Sequence, residues 1–181
     1  MMRLFFHVVA ALALVTDSIA LPCVQYGAPV GFPDNKTPFS TIGASTNGMR
    51  LFCVYTRFGK RLDAIAVRYK DASPYPYVYG GDGGRYAEFC IDDNEIIQNV
   101  TIRSNSKAIV YLRLDTSLSR VLVLGTPRAE EDLVFSAPDD MELNGFYGYK
   151  NHEVKSLGVI WSTCGCQENG YGGYVPGTVH D

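Results

Sequence analysis

Beyond residue 20, the chain consists mainly of short segments in which apolar residues alternate with other residues. Three of them cover residues 65–69, 110–114 and 157–161, where Ile65, Leu112 and Val159 each lie at the centre of an alternating run. A period of two with β-branched and aromatic residues predicts strands that turn one face to a core. No convincing helix of three turns follows residue 20, so the pattern predicts an all-β fold.

The three segments recur about 45 residues apart, which indicates a threefold internal repeat of a β-rich unit. A sheet of four short strands with short loops needs about that many residues. Three such sheets could pack as a three-sided prism, but the spacing alone leaves propeller-like, trefoil and sandwich folds open. Coincidence is the simpler alternative, because any all-β chain contains alternating stretches.

The first 20 residues have the layout of a secretory signal peptide. Arg3 precedes an apolar run over residues 4–15, and Ser18-Ile19-Ala20 forms a small-x-small cleavage signal. The run is shorter than the roughly 20 residues that span a bilayer, so we expect a secreted, extracellular protein without a membrane span. The expected domains are a signal peptide (1–20), one folded domain (21–166) and a flexible tail rich in glycine and tyrosine (167–181).

The composition narrows the class of protein further. The formal charge is −3, from 16 basic and 19 acidic residues, and no long basic run gives an argument for nucleic acid. The chain has 18 glycines and 12 tyrosines, which favours many short strands joined by turns. Asn35 and Asn99 each begin an acceptor sequence for N-glycans, which predicts exposed positions there and a glycoprotein wherever the acceptor is occupied.

The five cysteines make disulfides plausible in an exported protein. Cys164 and Cys166 are too close to bridge comfortably, and one of them paired with Cys23 would tie the two ends together. Cys53 and Cys90 are then the remaining candidate pair, and one thiol is left over. The sequence Cys164-Gly-Cys166 gives a poor metal site, because no His or Cys pair lies elsewhere at ligand spacing. We expect neither a metal nor another cofactor.

Several motifs, in their order and spacing, resemble those of the jacalin-related lectins. Gly145-Phe146-Tyr147-Gly148 followed by Ser156-Leu157-Gly158-Val159-Ile160-Trp161 resembles the closing motif of that family. Residues 80–84 look like its glycine-rich loop, and residues 62–67 look like its first-repeat strand. The resemblance covers residues 43–161 and implies a β-prism of three four-stranded antiparallel sheets with pseudo-threefold symmetry. It also implies carbohydrate binding without catalysis.

The sugar site of the family combines a Gly-x-x-x-Asp loop with a glycine-rich loop, and the first repeat here contains Gly59-Lys60-Arg61-Leu62-Asp63. The resemblance implies that Asp63 accepts hydrogen bonds from two sugar hydroxyls and that the N–H groups of Lys60 and Arg61 donate. The N–H group of Gly81 closes the site. The implied carbohydrate-binding residues are Gly59, Lys60, Arg61, Asp63, Gly80 and Gly81. The alternative is that Asp63 only opens a strand and that residues 80–84 are a plain hairpin loop.

The other two repeats depart from this motif. In the last repeat the aligned stretch is Asn151-His152-Glu153-Val154-Lys155, so Lys155 takes the place of the carboxylate and cannot accept hydrogen bonds. In the middle repeat we align Ala108 with the acid. Weaker candidates are His152 beside Glu153 as an acid–base pair, and Tyr75, Tyr77 and Tyr79 as rings that stack on a sugar.

The sequence therefore predicts a secreted lectin for mannose- or glucose-type glycans, with the intact site at Asp63. Two alternatives keep the prism fold. In one, Lys60, Arg61, Lys150 and Lys155 bind acidic or sulfated glycans; in the other, the domain binds proteins and no neutral sugar. The resemblance leaves a homodimer open, and an enzyme is the least favoured reading.

Overall fold

The computed structural model describes residues 23–32, 37–43, 49–127 and 132–163, and these residues form thirteen β-strands. In chain order the strands are β1 (Val24–Tyr26), β2 (Val30–Gly31), β3 (Thr37–Ser40), β4 (Leu51–Phe58), β5 (Leu62–Tyr69), β6 (Tyr79–Gly80), β7 (Arg85–Cys90), β8 (Ile97–Ser104), β9 (Ile109–Thr116), β10 (Val121–Gly125), β11 (Leu133–Ser136), β12 (Glu142–Lys150) and β13 (Val154–Ser162). Every pairing between them is antiparallel.

The strands form three sheets, which confirms the predicted fold class. The first sheet has the order β6-β5-β4-β7, and the second has the order β10-β9-β8-β11. The third sheet has the order β1-β13-β12-β3, and β2 also pairs with β13. Both β1 and β2 pair with β13 at successive positions, so together they form a single interrupted edge strand. Each sheet is therefore four strands wide, and the third is closed by strands from both ends of the chain.

The apolar residues of the three sheets meet in one core. Ile65, Leu112 and Val159, at the centres of the alternating segments, are all 0% exposed. The long central strands of the three sheets supply most of the buried residues. Side chains alternate between the two faces of a pleated strand, and the hydrophobic effect favours burial of the apolar face. One detail of the pattern is wrong: Val110 is only half-buried, because it does not share the inward face of Leu112 and Leu114.

A bulge explains the position of Val110, and it recurs in each sheet. In the first sheet Phe58 pairs with Leu62 but Arg57 pairs with Ala64, so Asp63 is an extra residue without a partner. The same shift leaves Val110 unpaired in the second sheet and Lys155 unpaired in the third. A β-bulge turns a side chain in a new direction and is common beside binding sites. The threefold repeat predicted from the sequence is therefore present in the hydrogen-bond register.

The disulfide between Cys53 and Cys90 is present and joins directly paired residues of β4 and β7. Cys23 is also disulfide-bonded, and its partner is not among the described residues. The predicted signal peptide, the tail and the sequon at Asn35 lie outside the described ranges. No helix among the residues described has both the length and the hydropathy needed to cross a membrane.

Candidate functional site

The bulge places Asp63 at the end of the β4–β5 hairpin, directly after its short loop. Register identifies Val110 and Lys155 as the equivalent residues of the second and third sheets. The predicted alignment of Lys155 with the carboxylate is confirmed. The predicted alignment of Ala108 is wrong, because the loop of the second hairpin is one residue longer and the equivalent residue is Val110. Among the three equivalent positions, only Asp63 offers a carboxylate.

A glycine on the edge strand faces each bulge and fixes its geometry. Gly80 has a φ of +129°, and a Cβ atom there would lie 2.1 Å from the carbonyl oxygen of Asp63. Gly31 and Gly125 also have positive φ, and a Cβ atom on either would lie 2.3 Å from the carbonyl oxygen of the residue that it faces, Lys155 or Val110. Only glycine accepts both this backbone conformation and this approach. Gly80 therefore holds the first edge strand tight against Asp63.

The glycine-rich loop crosses the end of the β4–β5 hairpin and lies against the Asp63 carboxylate. It connects β6, which pairs with β5, to β7, which pairs with β4. A Cβ atom on Gly83 would lie 2.6 Å from Oδ1 of Asp63, and one on Gly84 would lie 2.6 Å from Oδ2. Any larger residue at these two positions would displace the carboxylate. The structure therefore brings together the acid and the bare main chain that the sequence motifs suggested.

The Asp63 carboxylate is enclosed but retains unused acceptor capacity. The residue is 8% exposed, yet no hydrogen-bond donor in the described part of the chain binds its side-chain oxygens. Its nearest cation is Arg61, whose Nε lies 3.6 Å from Oδ1. That distance is longer than a normal N–H···O hydrogen bond. Both oxygens therefore have acceptor positions that no donor among the described residues occupies.

The hairpin loop before Asp63 also leaves amides unused. In the second hairpin, Oδ1 of Asn105 accepts hydrogen bonds from the amides of Lys107 and Ala108 at 2.8 and 3.0 Å. In the third, Oδ1 of Asn151 accepts from the amide of Glu153 at 3.2 Å. In the first loop the equivalent position is a glycine, which has no side chain to cap the amides that follow.

Gly59 therefore has a specific local consequence. Its own amide donates to the carbonyl oxygen of Arg61 at 3.0 Å, which closes the turn. The amides of Lys60 and Arg61 find no acceptor among the residues described, so they are available to donate to a ligand. The Gly-x-x-x-Asp spacing thus leaves free donors on one side of the acid, and glycine rather than asparagine is what leaves them free.

The role predicted for the amide of Gly81 is wrong. This amide donates to the carbonyl oxygen of Asp63 at 3.0 Å, as a continuation of the β5–β6 ladder, and it is not available to a ligand. A Cβ atom on Gly81 would lie 2.4 Å from the carbonyl oxygen of His152, so the glycine lets two loops pack closely. The loop residues that contact the carboxylate are Gly83 and Gly84, and their amides have no acceptor within the described ranges.

Glu153 lies beside this site in a role that the sequence did not suggest, because the sequence offered it only as an acid–base partner of His152. It is 6% exposed, although its neighbour His152 is exposed as a loop residue usually is. Its Oε2 contacts Nε of Arg61, and its Oε1 accepts a hydrogen bond from Nζ of Lys155. Nζ of Lys155 also donates to the carbonyl oxygen of Lys107 at 3.0 Å. Burial and then the nearby Arg61 guanidinium lower the pKa of Lys155.

The tyrosines proposed to stack on a sugar lie away from the carboxylate. Tyr75 and Tyr77 are exposed and line a separate cavity of about 610 Å³ together with Val67 and Tyr69, at the other end of β5. Tyr79 stacks on Phe39, with 5.0 Å between ring centroids, and packs against the core. None of the three rings belongs to the loops around Asp63.

Comparison with known proteins gives a consistent picture. The sequence profile described as "Jacalin-like lectin domain" matches residues 7–160. Malaysian banana lectin superimposes with a TM-score of 0.65 at 19% identity, over 77% of this chain and 99% of that one. A mannose-binding jacalin-related lectin from Ananas comosus gives 0.63 at 14% identity, over 78% and 99%. A prostate-specific WGA16 glycoprotein lectin gives 0.60 at 19% identity, over 77% and 99%. No curated protein sequence matches significantly.

Proposed function

The chain belongs to the jacalin-like lectin family, a family of non-enzymatic carbohydrate-binding domains, and from this premise we propose that it binds neutral mannose- or glucose-type sugars at Asp63. The observation that carries the proposal is the enclosed carboxylate of Asp63, which has no donor of its own among the described residues and lies against Gly83 and Gly84. In this proposal the sugar hydroxyls bind to this acid and to the amides of the hairpin loop.

The chemistry of these groups suits a neutral sugar. Adjacent sugar hydroxyls are donors and acceptors, and an ionised carboxylate accepts two such donors with charge-assisted strength. The free amides of Lys60 and Arg61 would donate to the sugar oxygens in return. A few hydrogen bonds of about 1 to 3 kcal/mol each must offset the loss of freedom on binding, which gives a dissociation constant of roughly millimolar order for one sugar. Extended glycans or oligomers would then supply useful strength.

Secretion is part of the same proposal. The signal-like residues 1–20 and the acceptor sequences at Asn35 and Asn99 support it, and so does the disulfide between Cys53 and Cys90. Disulfides persist in oxidising compartments, where the glycans of cell surfaces and secreted proteins are found. The protein would act outside the cell as a glycan-binding module.

A second function, binding of acidic or sulfated glycans, is favoured by the cations at the same end of the prism. Lys60 and Lys107 are exposed there, and Lys155 occupies the acid position of the third sheet. Two of the cations are already compensated, because Glu153 pairs with both Arg61 and Lys155. The neutral-sugar function therefore has the better support.

A glycan array with the wild-type protein and Asp63→Asn separates these functions. The substitution keeps the size of the side chain but turns half of the carboxylate into a donor. We expect wild-type binding to mannosides and at least tenfold weaker binding by the variant, which corresponds to about 1.4 kcal/mol or more. The second function would be favoured if both proteins bind anionic glycans equally well and this binding weakens as the salt concentration rises. No binding to any glycan would favour a protein-interaction domain.

A further inference from the structure

The guanidinium of Arg61 lies between two carboxylates that belong to different sheets. On one side Nε is 3.6 Å from Oδ1 of Asp63, and on the other side it contacts Oε2 of Glu153. The Glu153 side chain is 8% exposed, whereas the Arg61 side chain is 49% exposed. The cation is thus the exposed partner of the pair, and the glutamate is the buried one.

Glu153 is held in place from its other side. Its Oε1 accepts a hydrogen bond from Nζ of Lys155, which also donates to the carbonyl oxygen of Lys107. The carbonyl oxygen of His152, the residue before it, packs against Gly81 of the glycine-rich loop. Residues of all three sheets therefore fix where the Glu153 carboxylate lies.

The position of Arg61 matters because a guanidinium and a sugar would use the same acceptors. An arginine that approached Asp63 by less than 1 Å would form a charge-assisted hydrogen bond and occupy one or both oxygens. The sugar would then have to displace a hydrogen-bonded guanidinium, and not only a cation at 3.6 Å, before it could bind. A second carboxylate that lies closer to the guanidinium than Asp63 does would reduce this competition.

We propose that Glu153 is a positioning residue that holds Arg61 away from the Asp63 oxygens and so keeps them open to the sugar. The inference rests on the proposed function of Asp63 and adds a role for the third sheet. That sheet has lost its own carboxylate, since Lys155 occupies the position, yet its loop completes the site of the first sheet. Lys155 contributes by fixing Glu153 and need not contact a ligand.

The test is a cycle of variants titrated with methyl α-mannoside in a calorimeter. Glu153→Gln keeps an acceptor for Lys155 but loses the charge that attracts Arg61, so we expect about tenfold weaker binding. Arg61→Ala removes the guanidinium and keeps the amide that the proposed site uses, and its affinity is the reference for the double variant. The double variant Arg61→Ala/Glu153→Gln should return to within about threefold of Arg61→Ala, since the competing guanidinium is gone.

The matched control is Glu142→Gln, which removes a similarly enclosed carboxylate that pairs with Arg50. Glu142 is the first residue of β12, whereas Glu153 lies beyond the last residue of that strand. It should bind like the wild type. Glu153→Asp, which keeps the charge on a shorter side chain, should show a smaller loss that Arg61→Ala also rescues. Unchanged binding by Glu153→Gln, or a double variant as weak as Glu153→Gln, would overturn the positioning role. Absence of binding by the wild type would instead overturn the proposed function itself.

Discussion

Replacement of Gly59 by asparagine should weaken sugar binding and stabilise the fold at the same time. In the second and third hairpins the equivalent asparagines, Asn105 and Asn151, accept hydrogen bonds from the loop amides. An asparagine at position 59 would do the same for the amide of Arg61. A donor that the proposed function assigns to the sugar would then be used within the turn.

The magnitudes follow from the groups involved. The sugar would lose one amide hydrogen bond of about 1 kcal/mol and meet a new side chain, so the affinity should fall about five- to tenfold. The fold would gain that hydrogen bond and lose a flexible glycine, which together should raise the free energy of unfolding by about 1 kcal/mol. For a domain of this size the melting temperature should rise by roughly 2 to 4 °C.

Gly59→Ala is the matched control. A Cβ atom at this position would lie 3.4 Å from Cα of Gly84 and 3.5 Å from Oδ2 of Asp63, which is ordinary contact, and alanine offers no acceptor. We expect an affinity within about threefold of the wild type. Calorimetric titration and thermal unfolding of both variants supply the two quantities. Equal loss of affinity in the alanine and asparagine variants would refute the reasoning, because bulk and not a captured amide would then be the cause.

Two further predictions test the glycine-rich loop and the disulfide. Gly83→Ala should weaken sugar binding by at least tenfold, because its Cβ atom would lie 2.6 Å from Oδ1 of Asp63. The melting temperature should hardly change, since residue 83 lies in an exposed loop. A large fall in the melting temperature would contradict this prediction. The double variant Cys53→Ala/Cys90→Ala opens a link across 37 residues and should lower the free energy of unfolding by about 3 to 4 kcal/mol in denaturant titrations. A loss below about 1 kcal/mol would show that the open chain is already restrained there.

Much of the fold follows from the local pattern of the sequence. Alternation around Ile65, Leu112 and Val159 predicted strands because a pleated strand turns every second side chain to the core, and all three residues are buried. The spacing of these segments indicated a threefold repeat, and the resemblance to the jacalin-related lectins implied the three sheets. The same spacing misplaced the acid position of the middle repeat, where Ala108 was aligned in place of Val110, because the hairpin loop of that repeat is longer than the loop before Asp63.

The site was less accessible to sequence reasoning where its contacts cross between sheets. Asp63 and the glycine-rich loop were found through motifs that are short and local. The Gly81 amide donates to the carbonyl oxygen of Asp63 because the β5–β6 ladder extends to this residue. No sequence motif shows how far a ladder extends. Glu153 resembles an ordinary loop residue in sequence, and only the packing of two hairpin loops from different sheets buries it beside Arg61.

A crystal structure of the protein with saturating methyl α-mannoside would test most directly whether the Asp63 carboxylate binds the sugar. We predict one sugar ring between the glycine-rich loop and the 59–61 turn, with two of its hydroxyls donating to Oδ1 and Oδ2 of Asp63. Clear density for the sugar at any other place, with the Asp63 oxygens paired to Arg61 instead, would contradict the account.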